Sequence, residues 1–251
     1  MRPLVTLTGL ALLWQLIVTL FALPPYILPP PYAVARAFIE RGDVLLAEAT
    51  VTLAEMLLGL LFGALLGAMA ALGLLASNKA RRWLLPVIVA SQAIPVFALA
   101  PLLVLWFGYG MASKIVMAML IIFFPVAATL YDGLRRTEPG WLELARVMTA
   151  NDPRHRHRVL LRIRLMAALP AFASGLKIAA AVAPIGAVIG EWVGSSAGLG
   201  FLMLQANARV QTDLMFAALI TLALCAVALY AAVDFLSRRL LPWQADSHVS
   251  K

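Results

Sequence analysis

The chain has 251 residues, 63% of them hydrophobic and only 13% charged, with a mean hydropathy of +0.93. Soluble domains carry about 25% charged residues, so this composition excludes an ordinary soluble protein and points to an all-α polytopic membrane protein. The formal net charge of +8 is no nucleic-acid signature, because the cations cluster beside apolar runs, where orientation in a membrane accounts for them.

No charged residue falls between Leu4 and Ala35. A span needs about 20 apolar residues, which places the first at 4–23. A cleaved leader is the competing reading, but the run is longer than a usual leader core and no small-x-small site precedes Pro24. Pro24, Pro25, Pro29, Pro30 and Pro31 then force an extended connection, followed by a short amphipathic piece near 36–48. The second span is expected at 51–76, where Gly59, Gly63, Gly67 and Gly73 recur at near-helical spacing and form a packing surface.

After a short basic turn at 78–83, the third span covers 84–110 and is interrupted by Pro86, Pro95 and Pro101. Such breaks are tolerated only where protein or a water-filled path satisfies the backbone again. The fourth span is 113–134. The fifth is 171–192, with Lys177 near enough to one end for its stem to snorkel. A polar-leaning loop is expected at 190–213, and the sixth span at 214–233 is followed by Arg238, Arg239 and a polar tail.

Between the fourth and fifth spans lies a basic island, 137–177, with seven cationic residues. Trp141, Leu144, Ala145 and Met148 recur on one face of a short helix, with Glu143 and Arg146 on another. A second helix starts where Asp152 caps and Pro153 takes the first position, and Arg154, Arg158 and Arg162 form a row at i, i+4. From the residues alone, these helices either dock on a partner or lie on lipid headgroups. Six spans put both termini on one side. With that side holding the island, the 78–83 turn and the tail, sixteen cations lie there and four opposite, so both termini are expected in the cytoplasm.

No Gly is followed by Lys, so the chain lacks the phosphate loop of an ATPase. The three histidines, His155, His157 and His248, all fall in cytosolic segments, and the first two do not share a helix face, which disfavours a metal site. Cys225 is the one cysteine, so no intrachain disulfide forms. No catalytic or metal-binding residue is assigned. An ion-coupled secondary transporter is the rival class, and it calls for ionisable groups near mid-membrane. Asp132, Glu191 and Asp234 fall instead at span ends, and Glu55 near the outer end of the second. Gln92, Pro95, Trp106, Pro184, Gly186 and Glu191 are the polar, aromatic or helix-bending groups expected to line a translocation path.

Glu143-Leu144-Ala145, Ile163-x-Leu165, and the run from Ala167-Ala168-Leu169-Pro170 to Gly175-Leu176-Lys177 resemble the EAA loop of ATP-binding-cassette importer permeases. Two positions depart from that pattern, Thr149 standing at the usual Gly and Met166 at a usual Pro, and the spacing from Thr149 to Ile163 is about one helical turn longer. The resemblance extends over about 50–239. Ile94-Pro95, Ala100-Pro101-Leu102, Leu105-Trp106-Phe107-Gly108-Tyr109-Gly110 and Ser113-Lys114-Ile115 are similar to nitrate, sulfonate and taurine importer permeases. Ala183-Pro184-Ile185-Gly186 through Gly190-Glu191-Trp192-Val193-Gly194, with Gly198-Leu199-Gly200, is closer to the branch that imports pyrimidine precursors of thiamine.

The resemblance implies a permease subunit in a bacterial inner membrane, passing a small polar solute: a thiamine pyrimidine precursor, or a sulfonate- or nitrate-like anion. It implies no cofactor of its own, ATP being bound by a separate ATPase. It also implies a periplasmic or lipid-anchored binding protein and a second permease copy as partners, all within membrane lipid. Residues 1–50 would then be the first span and periplasmic connection, 51–240 the permease core with its coupling loop at 135–170, and 241–251 a cytosolic tail. Trp141, Glu143, Leu144, Ala145 and Met148 would form the coupling helix that meets the ATPase.

Overall fold

The apolar runs fold as helices in a computed structural model that describes residues 2–148 and 159–243, and no strand occurs among the described residues. Helix α1 (Arg2–Leu20) leads through the proline-rich connection to α2 (Pro31–Glu40), which Pro31 starts at a position where its missing N–H is harmless. Helix α3 (Gly42–Ala76) follows after a single residue. The amphipathic piece expected at 36–48 is therefore α2, shifted toward the N-terminus, and the second span begins well before residue 51. Helix α3 consequently carries Asp43, Glu48 and Glu55 on one continuous rod.

The expected third span is two helices, α4 (Asn78–Ser91) and α5 (Val96–Phe107), bent 100° at Gln92 to Pro95. Pro86 and Pro101 lie inside these helices, whereas Pro95 takes the N-cap position of α5 in an extended conformation. Only Pro95 thus breaks the rod, since a proline at a helix start loses no hydrogen bond and forces its predecessor out of helical geometry.

Helix α6 (Met111–Arg135) is a span, α7 (Pro139–Met148) is the short amphipathic helix, and a π-helical turn at Leu160–Arg164 opens into α8 (Leu165–Gly194). The basic helix expected from Asp152, with His155 and His157, falls largely outside the described residues, as do Thr149 and His248. The segment expected as a polar-leaning loop is mostly helix: α8 continues to Gly194, and α9 (Leu199–Ala208) follows it. Leu199, Gly200, Leu202 and Ala206 bury one side of α9, whose apolar face the glycines on either side had masked in the sequence. Helix α10 (Thr212–Leu240) completes the bundle.

Among the described residues four helices, α3, α6, the α8 rod and α10, are long and apolar enough to cross a membrane, and the bent α4–α5 pair makes up to five by the same measure. Helix α6 is central, packed between α3 and α8. A Cβ added at Gly59 of α3 or at Gly186 of α8 would come within 2.5 Å of Ala118 on α6, so the two glycines clamp one small residue from opposite sides. Gly63 and Gly67 continue the α3 seam against Ile122 and Val126. Lipid supplies no hydrophobic drive between helices, so close van der Waals approach of small residues holds the three rods together. Helix α5 joins by packing Ala100 and Leu103 on Met117 of α6 and on Ile189 and Val193 of α8.

Candidate functional site

Helix α7 places its residues on two sides. Ala145 is only 5% exposed, held by the chain itself, whereas Val147 and Met148 are 78% and 76% exposed, and Trp141 and Leu144 are also open. Within the expected docking stripe of Trp141, Leu144, Ala145 and Met148, Ala145 is the buried member, and the neighbouring Val147 adds to the outward apolar surface. Helical periodicity puts Ala145 beside Leu144 and Met148 but does not say that α7 folds back on its own protein. Glu143 is exposed on α7 beside these residues.

Trp141, Leu144, Ala145 and Met148 line one side of a groove of about 1040 Å³. Ile163 of the π-helical turn and Met166 and Pro170 of α8 line the other, and Arg136, Arg162 and Trp243 border it. The groove is walled mainly by apolar side chains beside cations.

The residues expected along a path divide by direction. Gln92 and Pro95 stand together at the α4–α5 bend and are exposed, and Trp106, near the other end of α5, is exposed too. Pro184 is half-buried within α8. Gly186 and Glu191 of α8 turn into the bundle, Gly186 against Ala118 and Glu191 with 1% of its surface exposed.

Glu191 belongs to a polar network that the sequence did not reveal. Its carboxylate accepts a 2.6 Å hydrogen bond from the Thr52 hydroxyl and others from the backbone N–H groups of Gly200 and Phe201. Thr52 Oγ1 in turn accepts from Leu199 N–H at 2.8 Å, and Glu48 Oε2 accepts from Gly198 N–H at 2.5 Å. Four N–H groups that open α9 are thus satisfied by side chains of α3 and α8, and carboxylates suit the positive end of a helix. Gly198, at φ +115°, and Gly200 leave the room that Glu191 occupies, since a Cβ at either would collide with its carboxylate.

Beside this cap, Lys114 of α6 pairs with Glu55 of α3 at 2.5 Å and donates to Ser195 Oγ at 2.9 Å. Glu55 is wholly buried. The polar cluster and the apolar groove lie at opposite ends of α8. From Pro170 to Glu191 an α-helix rises roughly 30 Å, the depth of a bilayer core.

Residues 63–243 match the family model described as binding-protein-dependent transport system inner membrane component. The chain is 54% identical to a probable ABC transporter permease protein of Haemophilus influenzae, over 96% of this chain and 97% of the relative. It is 34% identical to the formylaminopyrimidine transport permease protein ThiX of Halalkalibacterium halodurans, over 97% and 96%, and 31% identical to the taurine transport system permease protein TauC of Escherichia coli, over 96% and 89%. Its fold resembles a chain of the inward-facing MetNI methionine ABC transporter, with a TM-score of 0.68 at 20% identity, covering 80% of this chain and 97% of that one.

Proposed function

The chain belongs to the binding-protein-dependent transport system inner membrane component family, as the permease subunit of an ABC importer, and from that premise we propose how its two ends divide the work. A permease of this family is a multi-pass inner-membrane protein that acts with a separate ATPase and a substrate-binding protein, so hydrolysis lies outside this chain.

In this reading α7 is the mechanical link to the ATPase, which alone binds ATP. The observation that carries it is the outward apolar face of Leu144, Val147 and Met148 on a helix too short to cross a membrane, beside a groove bordered by cations. Glu143 orients the helix at the rim. The excess of cations on this side supports a cytosolic location for it and for both termini.

The solute path runs along the α4–α5 break. Gln92, Pro95 and Trp106 face out of the single subunit, so a path that uses them is closed by a second copy of the chain, within the lipid that covers the remaining apolar surface. Pro184 lies within α8 behind that path, while Gly186 and Glu191 fix the position of its outer half. The solute is a small polar one. The ThiX relative and the Gly190-Glu191-Trp192 segment favour a pyrimidine precursor of thiamine over a sulfonate- or nitrate-like anion.

Uptake of labelled formylaminopyrimidine and of taurine by cells expressing the permease with its ATPase and binding protein tests the solute. Saturable pyrimidine uptake that taurine does not inhibit is expected; taurine uptake in its place would overturn the assignment.

A further inference from the structure

Lys177 of α8 and Arg238 of α10 converge on one carboxylate. Lys177 Nζ lies 2.5 Å from Asp234 Oδ1, and Arg238 Nε lies 2.8 Å from Asp234 Oδ2. Beside this trio is a cleft of about 230 Å³ lined by Lys177, Arg238, Ser174 and Ser237 and closed by Leu241 and Pro242. Two cations against one carboxylate leave the cleft wall positive, while the Ser174 and Ser237 hydroxyls donate to the Pro170 and Val233 carbonyls of their own helices. At roughly 30 Å³ per water molecule, the cleft has room for a phosphate group and its hydration.

We infer that this cleft between α8 and α10 is a binding site for a phosphate-bearing anion, supplied by the headgroup of an anionic phospholipid or by soluble phosphate. Arginine and lysine together suit phosphate, the first by its planar fork and the second as a compact charge. The cleft lies at the groove end of α8, and the inference rests on the reading that this end is cytosolic. Anionic lipid of that leaflet concentrates there, and basic pockets between spans are where its headgroups lodge.

The position links the site to the groove. Pro170 lines both cavities, and Leu241 and Pro242 close the cleft while the next residue, Trp243, borders the groove. An anion held by Lys177 and Arg238 therefore fixes the segment that forms one edge of the groove.

Native mass spectrometry of the full-length permease in detergent, offered phosphatidylglycerol, phosphatidylcholine or inorganic phosphate, tests the site. Wild type is expected to retain phosphatidylglycerol over phosphatidylcholine, and Arg238→Gln to lower that retention about fivefold, the effect of one cation near a charged headgroup. Ser174→Leu fills the cleft from its exposed side without touching the ion pairs and is expected to lower retention as well. Saturable binding of inorganic phosphate that both variants weaken supports the site with a soluble ligand. No preference for phosphatidylglycerol together with no phosphate binding, or retention unchanged in both variants, overturns it. The assay uses neither ATPase nor transport, so its failure leaves the coupling role of α7 standing, and failure of that role leaves the assay valid.

Discussion

Thr52 on α3 donates a 2.6 Å hydrogen bond to the Glu191 carboxylate on α8, across 139 residues of chain, and both side chains are buried. The same hydroxyl accepts from Leu199 N–H, so one threonine joins two spans to the start of α9. Thr52→Val keeps the shape and removes both bonds, leaving a buried N–H and a carboxylate oxygen each short of a partner. A loss of about 1–3 kcal/mol is expected for each group orphaned, read as a lower unfolding temperature in detergent. Thr52→Ser should retain most of the stability, and a Val variant as stable as wild type would remove the network's structural role.

Lys114 and Glu55 are paired between α6 and α3 where neither meets solvent. Lys114→Met leaves the Glu55 charge uncompensated and should destabilise by about 3–5 kcal/mol, whereas the double change Lys114→Met with Glu55→Leu should recover much of that. Thermal unfolding of Lys114→Met, Glu55→Leu and the double variant measures the coupling. Equal losses in the single and double variants would show that the pair does not act as a unit.

Gly186 and Gly59 press on Ala118 from two sides, while a Cβ at Gly73 meets nothing within 4 Å. Gly186→Val is therefore expected to force α8 from α6 at a cost of about 1–3 kcal/mol or more, seen as poor recovery of monodisperse protein. Gly73→Ala, at an open helical position, should stabilise by up to about 1 kcal/mol. Both belong to spans with the same small-residue character, so opposite outcomes would separate packing from helix propensity.

The two sides of α7 make a paired test of the coupling role. Met148→Glu and Val147→Glu change exposed positions and should leave insertion and folding intact while abolishing co-purification with the ATPase and uptake. Ala145→Glu places a charge in the chain's own packing and should lower the yield of folded permease itself. If the exposed-face variants keep both ATPase association and uptake, α7 is not the link.

The topology is open to labelling. A cysteine at Ser196, exposed between α8 and α9, should react with an impermeant reagent in intact cells, and a C-terminal tag should stay protected until the cells are opened. Protection of Ser196 together with labelling of the tag would invert the orientation.

The sequence by itself determined the membrane class, the apolar rods, the basic island with its short amphipathic helix, and the family motifs. These are local or additive properties: hydropathy sums along a run, cation counts sum along a side, and a motif is read residue by residue. Helical spacing also grouped Gly59, Gly63 and Gly67 correctly, because small residues repeated on one face have few uses other than close packing, but it wrongly added Gly73, where an added Cβ meets nothing within 4 Å. Only the tertiary structure decided what each face meets. It turned Ala145 inward, bent the third apolar run at Pro95 while Pro86 and Pro101 stayed helical, and folded the glycine-punctuated stretch after Glu191 into α9. Glu191 and Thr52 illustrate the physical reason. The cost of a buried carboxylate and of a helix start without hydrogen-bond partners is removed only when α3, α8 and α9 meet, and no window of sequence contains all three.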